Sequence, residues 1–478
     1  MTQARLSDDR TIAGRADLLI IPAFAGPSGA ALASTWPFED ERIARLLQRD
    51  KAFAGEAGQI SALLVSDGLP ALLAVGLGQR GKLDADTLRR GAMAAALASS
   101  GRGACVFTLD GLGVDPGDTI RAVTEGFLLG RYDYTRAEDT DSFTVLARTP
   151  DERAFSIGRI AAMRANWVRR LVETPASALP PRVFAEILVA QAEKLGIAAE
   201  IWEGDGLAQR GFGALQAVGG GSRNAPLAVR LEHGRGVRRL GLAGKGMTFD
   251  SGGINLKRKL TEIAWMKADM AAAAAVAGAI FAGVELGADP DILAILPIAE
   301  NMPSGTAVRP GDVVTHPDGR RTEITDTDCE GRLILADAIA FLAKHEVDAI
   351  IDVGTLTDGG GVGTALWGCW TNDERLAKIM TEAGMRAGEP GWHLPLKSDY
   401  ARLLASKVAD IANSPLDVPD SGQLAATYLQ SFAGTKPWLH IDNGSCAYLE
   451  QASPPWPMGA TGAPLRALLQ FLLDRAKA

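Results

Sequence analysis

Residues 244–269 read GKGMTFDSGGINLKRKLTEIAWMKAD. An apolar run at 239–243 precedes them and reads as a strand. The Ala-rich run at 265–282 reads as a helix. Strands that alternate with helices predict a mostly parallel sheet covered on both faces. Within this stretch two lysines, Lys245 and Lys257, and two aspartates, Asp250 and Asp269, stand among residues that read as buried or glycine-rich. A buried charge is costly unless it is paired or bound to a metal. A second stretch at 326–337, DTDCEGRLILAD, supplies the complement: Asp328, Glu330 and Arg332.

The same alternation runs through the rest of the chain. Strands are expected at 18–22, 61–65, 71–76, 104–109 and 143–147, with helices at 83–99 and 120–129. These make a small N-terminal α/β domain over residues 1–150, without catalytic residue types in a cluster. A helix at 151–172 links it to the second domain and ends at the proline-rich turn TPASALPP, 174–181. Residues 173–478 read as a larger α/β catalytic domain. Its strands are expected at 198–202, 227–232, 239–243, 291–298 and 347–353, and its helices at 183–195, 265–282 and 333–343. The GKG segment follows one strand and GTLTD, 354–358, follows another, and ligands in such sheets gather beyond the carboxyl ends of strands.

At 478 residues the chain is too long for one ordinary core. A formal net charge of −8 argues against a large nucleic-acid footprint. Cys105, Cys329, Cys369 and Cys446 are widely spread with no CxxC, which points to a reducing cytoplasm. The apolar run at 18–21 is short and follows Asp8, Asp9 and Asp17, unlike a signal peptide. No membrane span is expected; the apolar run at 270–282 reads as a buried helix.

Asp250, Asp269, Asp328 and Glu330 are hard oxygen donors suited to Mg²⁺, Mn²⁺ or Zn²⁺. Four converging carboxylates would otherwise repel, and some would stay protonated. Two cations held by bridging carboxylates would polarise a carbonyl and generate hydroxide from water. Lys245 could join them only as a neutral amine. Lys257 could stay charged and stabilise an oxyanion. Arg332 could hold a carboxylate-like anion such as bicarbonate through two parallel hydrogen bonds.

Each residue also has a bland reading. Asp250 before Ser-Gly-Gly could be a turn residue. Asp328 and Glu330 could cap the helix beginning near 333. Lys257, beside Arg258 and Lys259, could be solvated surface. Other chemistries lack their motifs: GKG is no P-loop, and neither HExxH nor G-x-S-x-G occurs. The five histidines do not cluster, and His440 in WLHID reads as a structural strand residue.

As a set the residues resemble the leucyl aminopeptidase family of di-metal exopeptidases, peptidase family M17. The matching pieces are TPAS at 174–177, VGGGS at 218–222, GKGMTFDSGGINLK at 244–257, MKADM at 266–270, ENMPSGTAVRPGDVV at 300–314, DTDCEGRLILADA at 326–338, GTLT at 354–357 and GATG at 459–462. The resemblance implies that Lys245, Asp250, Asp269, Asp328 and Glu330 are metal ligands for Mn or Zn, with Mg a further candidate. It implies that Lys257 and Arg332 are catalytic, with bicarbonate at Arg332 as proton shuttle. It also places Met266, Leu356, Asp358, Gly444 and Ala447 near the substrate. A cytoplasmic homo-hexamer built as two trimers and acting on peptides is implied, while the lack of a long apolar run and the net charge of −8 point away from membrane and nucleic-acid partners. Related alternatives are a di-metal dipeptidase, for example for Cys-Gly, and a member with an added DNA-binding role.

The chain departs from the family pattern at Asp326, Cys329, Asp358 and 443–445. Asp326 is expected to add negative charge near the metals. Asp358, with the small residues Gly444 and Ala447, is expected to make a roomier and more polar pocket for the first side chain.

Overall fold

The computed structural model describes residues 2–38, 41–136, 141–234, 239–288 and 290–476. The chain forms two compact units, Met1–Asn166 with Gln451–Met458, and Trp167–Glu450 with Gly459–Ala478. The boundary falls inside the helix Glu152–Glu173, so the helix expected at 151–172 is shared between the units.

In the first unit, a six-stranded sheet runs in the order Gln3–Ser7, Ser142–Ala147, Ala104–Leu109, Leu18–Phe24 and Ala31–Leu32, with Ala71–Gly76 also paired to Leu18–Phe24. Its pairings are parallel except the one made by Ala31–Leu32. The helices Ala85–Ala98 and Pro116–Gly130 start where capping chemistry allows. Asp84 accepts from the Thr87 amide, Asp115 accepts from the Asp118 amide, and Pro116 opens its helix. The strand expected at 61–65 does not form. Ile60 and Leu64 make only isolated bridges, and Leu63 and Val65 point into solvent.

The second unit is built on a nine-stranded mixed sheet. At its centre Ile292–Asn301, Leu240–Gly244, Ala349–Gly354 and Trp438–Asp442 are parallel neighbours. Leu227–His233 and Trp367–Thr371 close this block with antiparallel pairings. The strand Gly246–Asp250 adds in parallel along the far end of Ile292–Asn301. Buried on both faces, the central strands are near-continuous apolar runs, as such strands must be. Register sets Val353 beside Gly244, Gly354 beside Asp442, and Asp250 beside Asn301. Lys245, Thr355, Asn443 and Asp250 therefore leave the sheet at one common edge.

The helix expected at 265–282 is interrupted. A short turn of 3-10 helix, Met266–Ala268, comes first, and the α-helix runs Ala271–Glu285. The break has a cause: the Asp269 carbonyl accepts from the Met247 amide at 3.2 Å instead of serving the helix. One orphan amide of the new helix start, that of Ala273, is satisfied by the Lys245 carbonyl at 2.9 Å. A Cβ on Gly244 would lie 2.8 Å from Ala273 Cα, so glycine lets this helix rest directly on the strand. By length and composition alone Met266–Glu285 could cross a membrane, but it is mostly buried inside the protein, in line with the buried helix expected at 270–282.

Candidate active site

Lys245 stands immediately after the central strand Leu240–Gly244. Its Nζ lies 2.9 Å from Asp269 Oδ1, 2.9 Å from Glu330 Oε1 and 2.7 Å from the Thr355 carbonyl. Asp269 sits in the helix break and also accepts from Thr355 Oγ1 at 2.7 Å. Glu330 opens the helix Glu330–Ala343, whose N-cap position, Cys329, makes no side-chain cap bond. The helix-cap reading thus fails for Asp328 and Glu330. Their carboxylates face lysines: Lys245 for Glu330, and Lys257 for Asp328 at 2.5 Å. A Cβ on Gly331 would meet Lys245 Nζ at 2.6 Å, so glycine is needed for the helix start to close over this lysine.

Asp250 ends the strand Gly246–Asp250. Its Oδ1 accepts from the Gly252 amide at 2.9 Å, so the turn reading is correct as far as it goes. The same oxygen accepts from Asn301 Nδ2 at 2.8 Å, and Oδ2 pairs with Lys257 at 2.8 Å. Gly252 has φ +88°, and a Cβ there would stand 2.9 Å from Asp328 Oδ1. Lys257 is not solvated surface, since its side chain is 9% exposed and bridges Asp250 and Asp328.

The charge balance of this cluster is what fits metal. Asp250, Asp328 and Glu330 each offer an oxygen within 4.8 Å of the others. Four carboxylates face two lysines, leaving two negative charges uncompensated if all ionise. Burial pushes Asp269 above its usual range, and Glu330 and Asp250 add to the rise against Lys245. Burial and Asp250 raise Glu330 against the two lysines. Burial, Asp250 and Glu330 push Asp328 up to about 8. Burial opposes charge on the lysines, yet the acids outweigh it and hold both ammonium groups above their usual range. Among the described residues, Asp269 Oδ2 and Glu330 Oε2 are buried without a hydrogen-bond partner. Such orphan oxygens are costly in a neutral interior and are natural donors to a cation. These residues fit a divalent metal. Lys245 would join the ligands only after losing the proton that the acids now hold on it.

Arg332 is 2% exposed. Its Nη1 donates to the Asn413 carbonyl at 2.9 Å and to Asp420 Oδ1 at 2.9 Å, and its Nη2 donates to Asp420 Oδ2. Asp326 turns into its own loop: Oδ1 accepts from the Asp328 amide at 2.9 Å, and Oδ2 lies 3.7 Å from Cys329 Sγ.

Among the residues placed near the substrate, Leu356 follows the strand Ala349–Gly354, and Asp442 accepts from the amides of Leu356, Thr357 and Gly444. Met266 is half-buried, Ala447 is buried and Asp358 is exposed. Asp358 Oδ1 accepts from the amides of Gly360 and Gly361, both at 3.1 Å. A Cβ on Gly444 would lie 2.0 Å from the Thr357 carbonyl. Gly444 therefore serves close packing, and its small size does not by itself open a pocket.

Sequence reasoning misses four supporting residues: Asn301 on Asp250, Thr355 on Asp269, Asp442 under the 355–357 segment, and Asp420 on Arg332. Asn301 and Thr355 lie inside the motifs at 300–314 and 354–357. Asn413 and Asp420 lie in a segment that carries no signal. His440 is a core residue as expected, bonded to Asp352 at 2.6 Å between Trp370 and Trp438.

Family models match both parts of the chain: "Cytosol aminopeptidase family, catalytic domain" over residues 166–469 and "Cytosol aminopeptidase family, N-terminal domain" over residues 29–139. A probable cytosol aminopeptidase of Corynebacterium diphtheriae is 35% identical, covering 96% of this chain and 95% of its own. A probable cytosol aminopeptidase of Nocardia farcinica is 36% identical, covering 98% and 97%. Among solved structures, the bottromycin maturation enzyme BotP in complex with Mn is similar, at 37% identity and TM-score 0.87, covering 96% of this chain and 100% of that one. The site geometry, the two-unit α/β fold and these likenesses agree, and the chain belongs to the cytosol aminopeptidase family, M17, a family of metal-dependent peptidases.

Proposed function

We propose that this chain is a two-metal aminopeptidase that releases the N-terminal residue of peptides. The observation that carries the reading is the buried excess of carboxylate, with Asp250, Asp328 and Glu330 offering oxygens within 4.8 Å of one another. Lys245, Asp250, Asp269, Asp328 and Glu330 would hold Mn or Zn ions, with Mg a further candidate. When bound, the ions would polarise the scissile carbonyl and lower the pKa of water. Lys257, relieved of Asp250 and Asp328 by the cations, would keep its charge and donate to the developing oxyanion. The segment 355–357, pinned by Asp442, would hold the substrate backbone in place. Met266, Leu356, Asp358, Gly444 and Ala447 would border the first side chain. Asp358 is the polar member of that wall, although one of its oxygens is committed to its own turn.

The same reading includes cytoplasmic residence and assembly as a homo-hexamer. All four cysteines are free thiols, which suits a reducing compartment. No nucleic-acid role is proposed, in keeping with the net charge of −8.

The test is a panel of aminoacyl-p-nitroanilides run with chelator and after adding Mn²⁺, Zn²⁺ or Mg²⁺. Hydrolysis should vanish with chelator and return with metal, and lysyl and arginyl substrates should rival leucyl. Full turnover in chelator would refute the metal mechanism. A wide preference for leucine, unchanged by Asp358→Gly, would refute the polar pocket.

A further inference from the structure

Arg332 is the residue whose two parallel donors suit a free oxyanion, and in this chain those donors already hold one. We infer that the Asp420 carboxylate is the resident anion of Arg332, so that this site works without dissolved bicarbonate. The inference rests on the aminopeptidase reading of the site. Three observations carry it.

The first is the geometry of the fork. Nη1 and Nη2 of Arg332 donate to separate oxygens of Asp420, which is the two-point recognition that a planar bicarbonate would use. One guanidinium edge cannot grip two planar anions in this way at once. The third Arg332 bond, from Nη1 to the Asn413 carbonyl, fixes the guanidinium in its plane.

The second is that Asp420 is positioned from both sides. Ser421 caps the helix Gly422–Gln430 by accepting from the Leu424 amide. A Cβ on Gly422 would meet Trp370 at 2.6 Å and Thr357 Oγ1 at 3.0 Å, so this helix start is seated against the segment that borders the substrate. On the other side, Asn413 Oδ1 accepts from the Thr325 amide at 2.8 Å, and its Nδ2 donates to the Asp326 carbonyl at 2.7 Å. That ties the Asp420 segment to the loop carrying Asp328 and Glu330. The Asp420 side chain, 24% exposed, reaches Arg332 from the solvent-facing segment 416–421, and the helix that follows holds its base in place.

The third is charge. Arg332 is buried and cannot lose its proton, so it requires a counter-ion whether or not a small anion is dissolved nearby. Asp420 supplies a carboxylate from within the chain. Its Oδ2 also lies 3.6 Å from Cys329 Sγ. Cys329 and Asp326 are two of the positions where the chain departs from the family pattern, and both lie against this corner.

The experiment compares full-length wild type, Asp420→Ala and Asp420→Asn in buffers stripped of carbonate and then supplemented with bicarbonate or formate. Turnover of an aminoacyl-p-nitroanilide is measured together with ¹³C line broadening of labelled bicarbonate, with and without added magnesium. Wild type should keep its rate in stripped buffer and leave the bicarbonate line sharp. Asp420→Ala should lose roughly 100-fold in turnover, regain much of it with bicarbonate or formate, and broaden the line. Asp420→Asn fills the space without the charge, so it should lose activity and gain little from either anion. A wild-type rate that climbs with bicarbonate, or a wild-type protein that broadens its line, overturns the inference without requiring any variant to fold. If wild type cleaves no aminoacyl substrate under any condition, the aminopeptidase reading has failed, and the line-broadening comparison still decides who occupies Arg332.

Discussion

Two buried charge clusters in the second unit invite comparison. In one, His316 bonds Asp337 at 2.6 Å and Thr322 at 2.8 Å, Thr322 bonds Tyr428 at 2.9 Å, and the Leu215 amide donates to the other Asp337 oxygen at 2.9 Å. Every member has a partner, and one acid meets one imidazole. In the other, around Lys245 and Lys257, four acids meet two lysines, and Asp269 and Glu330 each keep a buried oxygen without a partner. Both clusters are deep and polar. The difference is satisfaction: a network that closes on itself holds the fold, and a network left two charges short is built for something absent from the chain.

That contrast can be broken by mutation. Glu330→Gln keeps shape and removes one ligand charge. It should cut kcat/KM by about 10³-fold or more and lower the apparent metal affinity, while shifting the urea midpoint of the metal-free protein very little. An active, metal-binding variant would put Glu330 among the structural acids. Asp337→Ala should do the reverse. It leaves His316 Nδ1 and the Leu215 amide unpartnered, and should cost about 3–5 kcal/mol of stability in a denaturation series, with metal stoichiometry unchanged. If it loses metal instead, the two clusters are one.

A pH series sharpens the same difference by a smaller effect. Burial and mutual repulsion raise Asp269, Asp328 and Glu330 in the metal-free protein, Asp328 to about 8, so these acids hold protons to higher pH than ordinary carboxylates. A cation must displace them, and binding releases protons. Apparent metal affinity should therefore weaken as pH falls from 8 to 6, on the order of tenfold per unit for each proton displaced. Calorimetry in buffers of different ionisation enthalpy measures that proton release directly. Affinity independent of pH would mean the acids are already ionised and balanced.

Much of this was legible in the sequence because it is local. The strands at 71–76 and 104–109 fall where alternation with helices put them, as do the buried strands of the second unit to within a few residues. The acids and lysines announced themselves by being charged inside apolar or glycine-rich runs. What could not be read depends on chain segments meeting through the sheet. Asp420 is adjacent to Arg332 only because the helix Gly422–Gln430 and the helix Glu330–Ala343 belong to one core, and nothing in VPDSGQ marks a partner for a buried arginine. Gly444 misled for a related reason. Its smallness suggested an open pocket, whereas the Thr357 carbonyl fills that space. The segment expected as a strand at 61–65 does lie along the edge of Ala71–Gly76, but it touches that strand only through isolated bridges at Ile60 and Leu64 and never forms a continuous ladder. The helix expected at 265–282 broke because the Asp269 carbonyl was claimed by the Met247 amide, a demand that helical periodicity cannot reveal.

The central claim is that the acid excess around Lys245 and Lys257 is a divalent-metal centre. Titrating Mn²⁺ into chelator-treated protein by calorimetry tests it most directly. The account predicts saturable binding of about two ions per chain, with proton release, and loss of that binding in Glu330→Gln. No saturable binding to folded wild-type protein, or the same isotherm from Glu330→Gln, would contradict it.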